Sequence, residues 1–182
     1  MSKAYERKRD NLFNTIQDKS HRLLTSKEAF SKNPIFTEDG LKDLGRDFSN
    51  AIHDMPTLWS GSASIAAIKA KLKNSKYKPS KDHFHSRQRC GEELVLLIRK
   101  CFGKGRSPTL NEVERILDKA RQVHYVTEKE NQKARPYMAK QLSHKRAYKA
   151  ANIILKHKTQ DLFSKRGPKT KQWKDDMVDK YG

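Results

Sequence analysis

Apolar residues in this chain arrive in short sets three and four positions apart and seldom in alternation, which commits most of it to amphipathic α-helices. Leu12, Phe13, Ile16, Leu23 and Leu24 mark a first helix over residues 2–24. After the turn signal Asn33-Pro34, Thr37-Glu38-Asp39 supplies an N-cap and first-turn acids for a second helix. That helix buries Leu41, Leu44, Phe48 and Ile52, and Met55-Pro56 ends it. Ser60-Gly61-Ser62, behind Trp59, reads as the start of a short helix carrying Ile65, Ile68 and Leu72 on one face. Leu94, Val95, Leu97, Ile98 and Phe102 belong to a buried helix that Gly103-Lys104-Gly105 stops. Thr109-Leu110-Asn111-Glu112 is a capping box, and the helix it opens turns Val113, Ile116, Leu117 and Ala120 inward.

Two places depart from the helical period. Asp82-His83-Phe84-His85, reached through a Lys-rich stretch with Pro79, reads as an extended segment and loop. Val123-His124-Tyr125-Val126-Thr127 is β-branched and aromatic, as strands are, and runs into a second capping box, Thr127-Glu128-Lys129-Glu130. The expected fold is therefore mainly α with a small β element, an α+β domain. Its expected parts are a helical region 1–73, a candidate catalytic region 74–135, and a basic helix and tail 136–182.

Charge narrows the partners. Forty Lys and Arg against twenty-one Asp and Glu leave +19, and the sequence pI is about 10.0. Such an excess attracts polyphosphate. Residues 132–160 carry eight basic side chains and not one acid. On a continuous helix Lys145, Lys149, Asn152 and Lys156 would form one line, with Ala147, Ala151 and Ile154 packed on the other side. Each lysine on such a face releases counterions from a phosphate backbone; the plainer reading is a solvated helix. Lys165-Arg166-Gly167-Pro168-Lys169-Thr170-Lys171 is a Gly-Pro turn inside a basic cluster. It suits either a minor-groove hook or a flexible basic linker.

Other chemistries leave less trace. No apolar run approaches the roughly 20 residues of a membrane span, and the charged N-terminus has no apolar stretch behind it. Neither membrane nor secretion is expected, and the expected location is the cytoplasm. Cys90 and Cys101 are too few for a disulfide framework or an all-cysteine zinc site, and read as small hydrophobes. The phosphate-cradling, dinucleotide-binding and nucleophile-elbow glycine motifs are missing, so no small-molecule cofactor is expected.

Asp82-His83 carries the chemical expectation. A carboxylate beside an imidazole can hold a divalent cation and a general base in one short segment. Phosphodiester hydrolysis uses both, the cation on the phosphate and the neutral imidazole on water. Together with the strand and the Val126-Thr127-Glu128-Lys129-Glu130-Asn131 string, Asp82-His83 resembles the HNH endonucleases with the ββα-metal finger, above all phage homing and intron-associated enzymes. The resemblance spans residues 80–131. It implies Asp82 as ligand to Mg²⁺ or Mn²⁺, His83 as the base that activates water, and Asn131 as the helix residue completing the metal site. Asn111 competes for that place, because a long helical stretch separates the imidazole from the string, where the family's finger is tighter.

The remaining candidates have plainer roles beside the chemical ones. His85 supports as a second imidazole or simply shares a strand face. Glu130 is first the capping partner of Thr127, and Asp82 could itself cap a helix. Arg87 at the reaction and Arg89 on DNA suit phosphate oxygens, or else form a solvated first helical turn. His124 reads as a sheet-face residue. The expectation is a metal-dependent endonuclease on double-stranded DNA, with Lys145, Lys149, Lys156, Lys165, Arg166, Lys169 and Lys171 on the nucleic acid and the oligomeric state open. The alternatives are a non-catalytic basic DNA- or RNA-binding protein and a ribosome-associated protein.

Overall fold

The computed structural model describes residues 2–25, 34–83, 85–139, 144–163 and 171–181. The fold is mainly α with a small four-stranded sheet, as the periodicity implied. The chain forms two compact units, each assembled from non-consecutive segments: residues 1–58 with 85–121, and residues 59–84 with 122–182. This division differs from three consecutive regions, because the stretch between the two strand candidates packs with the N-terminal helices.

The first unit is helical. It contains α1 (Lys3–Thr25), a 3-10 turn at Pro34–Phe36, α2 (Glu38–His53), α4 (Arg87–Phe102) and α5 (Leu110–Arg121). Its local signals act as read. The Thr37 hydroxyl accepts from Gly40 N–H at 3.0 Å. In the Thr109 box, Thr109 N–H donates to Glu112 Oε2 at 2.9 Å and Glu112 N–H donates back to Thr109 Oγ1 at 3.3 Å. One apolar core joins Leu12 and Ile16 to Phe48, Ile52, Leu94, Ile98, Val113 and Leu117. Buried Arg121 lies 3.5 Å over the Tyr5 ring and donates through Nε to the Pro56 carbonyl at 2.9 Å. Where α2 and α4 cross, a Cβ on Gly91 would stand 2.0 Å from the Gly45 carbonyl oxygen, so that approach requires glycine.

The second unit holds β1 (Leu58–Ser64, from Trp59 on), α3 (Ile65–Lys73), β2 (Ser80–His83), β3 (Gln122–Val126), α6 (Glu128–Ala139), α7 (His144–Ala150), β4 (Leu155–Lys156), α8 (Gln160–Phe163) and α9 (Lys171–Tyr181). The strand order is β2-β3-β1-β4. β2 and β3 are antiparallel, pairing Ser80 with Val126, Lys81 with Tyr125, Asp82 with His124 and His83 with Val123. β1 meets β4 antiparallel through Ala63–Lys156 and Ser64–Leu155. Side chains alternate across a sheet, and each face here has its own cover. On one face Ala63, Ile68, Leu162 and Met177 form a core with Tyr125 and Phe163, and Trp59 stacks on Tyr125 at 4.7 Å. On the other, Val126 packs with Ala134, Tyr148, Ala151 and Ile153.

Two readings are corrected. Residues 58–64 are a strand, and the short helix starts only at Ile65, where the Ser64 hydroxyl accepts from Ala67 N–H at 3.0 Å. Gly61, at φ 79°, cannot open a helix, and its carbonyl takes both the N–H and the hydroxyl of Thr159. Residues 132–160 are not one helix. Asn152 adopts φ 55°, with its N–H on the Lys149 carbonyl and Ile153 N–H on the Tyr148 carbonyl, a Schellman ending that stops the helix. Lys145 and Lys149 therefore stay exposed on α7 while Lys156 stands on β4, so the expected line through Lys145, Lys149, Asn152 and Lys156 does not form. Ile154, expected inward, is 58% exposed. Among the described residues no helix is long and apolar enough to cross a membrane.

Candidate active site

The antiparallel pair β2–β3 followed directly by α6 makes a strand-strand-helix element in the second unit, and residues 85–121 between the strands belong to the first. α6 begins as its capping box dictates. Thr127 N–H and hydroxyl donate to Glu130 Oε2 at 2.9 and 3.0 Å, and Glu130 N–H returns to Thr127 Oγ1 at 3.2 Å. The same carboxylate oxygen accepts from the Ser64 hydroxyl at 2.5 Å. Glu130 is thus a structural clasp between a helix start and the end of β1.

Asn131, one position on, donates from Nδ2 to Ser80 Oγ at 3.0 Å, which brings α6 against β2. Ser80 and Asp82 share a face of β2 and stand about 6.5–7 Å apart along the strand. Asp82 receives on Oδ2 the hydroxyl of Tyr148 at 2.5 Å. The Tyr148 phenol is pushed well above its ordinary pKa, first by burial and then by the charge and hydrogen bond of Asp82, so it remains a donor. Asp82 and Asn131 therefore lie on one face of the element, as the sequence reading requires.

The imidazoles distribute differently. Strand alternation sends His83, paired with Val123, to the face opposite Asp82, while His124 stands directly across the ladder from Asp82 on its own face. The adjacency that makes Asp82-His83 conspicuous in sequence is what separates the two across a pleat. His124 is 3% exposed, its Nδ1 lies 2.8 Å from the Ser60 hydroxyl, and its ring is 6.1 Å from that of Tyr148. Two positions along β1, Ser62 Oγ lies 2.8 Å from His157 Nδ1. The alternation Ser60, Ser62, Ser64 thus places three hydroxyls against His124, His157 and Glu130. Sequence reasoning missed Tyr148 and these serines. The period-two serines were the available signal, whereas Tyr148 sits in a segment legible only as basic helix.

The other candidates lie elsewhere. His85, Arg87, Arg89 and Asn111 belong to the first unit. Arg87 is the first residue of α4, and burial lowers its pKa against the opposing charge of Asp54. Arg89 is exposed, with Nε 3.9 Å from Glu93, and Asn111 is exposed in the first turn of α5. Lys165, Arg166 and Lys169 lie outside the described residues, and Lys171 opens α9 with its side chain likewise outside them.

As a cation site the element offers oxygen donors, the Asp82 carboxylate and the Asn131 amide. These suit Mg²⁺, which takes one or two protein carboxylates and completes its shell with water and substrate phosphate. Glu130 fits less well, since one oxygen already serves three donors. Among the described residues no three His, Cys, Asp or Glu side chains gather as a metal-binding group. No family model, curated protein or solved structure matches the chain, so the functional reading stands on these residues.

Proposed function

We propose that this chain is a metal-dependent DNA endonuclease of the ββα-metal kind, a homing-type enzyme that hydrolyses phosphodiester bonds in double-stranded DNA. One observation carries the reading: β2, β3 and α6 form a strand-strand-helix element with Asp82 and Asn131 on a single face. A bound Mg²⁺ or Mn²⁺ would neutralise charge on the scissile phosphate and the leaving oxygen. Asp82 and Asn131 are the residues that would hold it. His83, at the end of β2, is the base expected from the sequence, and His124, across from Asp82, is the imidazole that the ladder register adds. The basic excess, including exposed Lys145, Lys149 and Lys156, supplies salt-sensitive, sequence-independent affinity for the phosphate backbone.

The test is nicking of supercoiled plasmid by the purified protein with Mg²⁺ or Mn²⁺, beside a DNA-binding assay in chelator. His124→Ala is expected to abolish cutting while binding stays close to wild type, because His124, and not the sequence-expected His83, shares the face of Asp82. If His83→Ala cuts at the wild-type rate and His124→Ala does not, the base is His124. Wild-type cutting by both removes the imidazole mechanism.

A second reading, a basic DNA- or RNA-binding protein that cuts nothing, is favoured by the engagement of Glu130 with Thr127 and Ser64, which gives one of the site's two carboxylates a structural role. Tight binding with no nicking under either cation selects it.

A further inference from the structure

Tyr148 lies 66 positions from Asp82 in sequence and belongs to none of the motifs that suggest chemistry, yet its hydroxyl meets the Asp82 carboxylate. Its ring is 4% exposed and packs among Val126, Ala134, Ala151 and Ile153, so residues of β3 and α6 and the segment after α7 fix where the hydroxyl arrives. The Schellman ending of α7 adds to this, because Tyr148 carries the carbonyl that receives Ile153 N–H at 2.8 Å.

We propose that Tyr148 is a positioning residue that sets the Asp82 carboxylate for a divalent cation. The inference rests on the reading of Asp82 as a cation ligand and adds a residue to it. A carboxylate on a half-buried strand rotates about two side-chain bonds, and a cation that must first order it binds more weakly. A phenol held by packing removes that cost before the cation arrives. One donor occupies one of about four lone-pair sites of a carboxylate, so accepting from Tyr148 is compatible with ligation. Groups that orient metal ligands in this way are typically worth about 10- to 100-fold in metal affinity.

Tyr148→Phe retains the ring and its packing and removes only the donor. Mn²⁺ binding is read directly by electron paramagnetic resonance, without DNA and without turnover, on wild type, Tyr148→Phe and Asp82→Asn. The expected result is one site in wild type, its loss in Asp82→Asn, and about 10- to 100-fold weaker binding in Tyr148→Phe. DNA affinity in chelator should be the same for wild type and Tyr148→Phe, and the nicking rate of Tyr148→Phe should recover towards wild type at proportionately higher Mn²⁺. A merely structural hydroxyl would not produce that recovery. Equal Mn²⁺ affinity in wild type and Tyr148→Phe, with loss in Asp82→Asn, overturns the inference and leaves the nuclease reading standing. No Mn²⁺ site in wild type overturns the cation role of Asp82 and the inference with it. Should Tyr148→Phe not fold, Cζ-labelled tyrosine in the wild-type protein decides. Mg²⁺ is expected to move one of its six tyrosine resonances, and none moving at saturation overturns the proposal.

Discussion

Gly91→Ala is the sharpest probe of the helical unit. The added Cβ would lie 2.0 Å from the Gly45 carbonyl oxygen, 2.9 Å from Ser49 N and 3.0 Å from the Gly45 carbonyl carbon. Ordinary contact begins near 3.5 Å, so the nearest atom is short by more than about 1 Å. All three obstacles are backbone, and no rotamer change relieves them; α2 and α4 have to move apart. Overpacking of this sort costs about 1–3 kcal/mol, and contact with backbone places it at the upper end. Replacing a mid-helix glycine returns about 0.5–1 kcal/mol of helix propensity. The net loss is about 2 kcal/mol, which for a chain of this length lowers Tm by about 4–8 °C. Gly103→Ala is the matched control, because its Cβ would meet nothing nearer than 3.8 Å at right-handed helical φ and ψ. It should stay within about 0.5 kcal/mol of wild type. Thermal melts by far-ultraviolet circular dichroism compare the three proteins. A Gly91→Ala protein that melts with wild type would show that the two helices do not meet backbone to backbone, and the packing argument fails.

Two further outcomes follow from ionisation. Arg106 donates from its two terminal guanidinium nitrogens to Glu112 at 2.7 and 2.8 Å, and with the Thr109 N–H this holds the carboxyl down to about 2. A folded pKa below the unfolded value of about 4.3 adds stability that is present above that value and disappears as pH falls towards 2. Tm measured against pH should therefore fall more steeply for wild type than for Glu112→Gln across that window, and parallel curves would contradict the pairing. Burial pushes the Cys90 thiol up to about 12 and raises that of Cys101, and both are fully packed. A chromogenic disulfide reagent at neutral pH should label neither until the protein is denatured; prompt labelling of the folded protein would refute the burial.

Legibility followed the range of each interaction. Thr37, Thr109 and Thr127 announce helix starts because cap and partner lie within three residues. Val123 to Val126 announces a strand by composition. Asp82 and Asn131 could be nominated together, and they do share a face. Tyr148, which meets Asp82, and Ser62, which meets His157 across 95 positions, could not, because no local pattern encodes a partner that distant. The long basic helix was misread for a related reason. Helical spacing continues on paper through Asn152, but an asparagine in the left-handed region with two closing hydrogen bonds ends it.

By itself the chain determined its helices, their caps, its strand candidates and its charge, since each arises from neighbours a few bonds away and from a summed composition. The tertiary structure alone decided the strand register, and with it which imidazole stands across from Asp82 and which turns to the other face. That choice is made by pairing and by the apolar cover on each side of the sheet, and a pleat gives adjacent residues opposite destinations whatever their proximity in sequence.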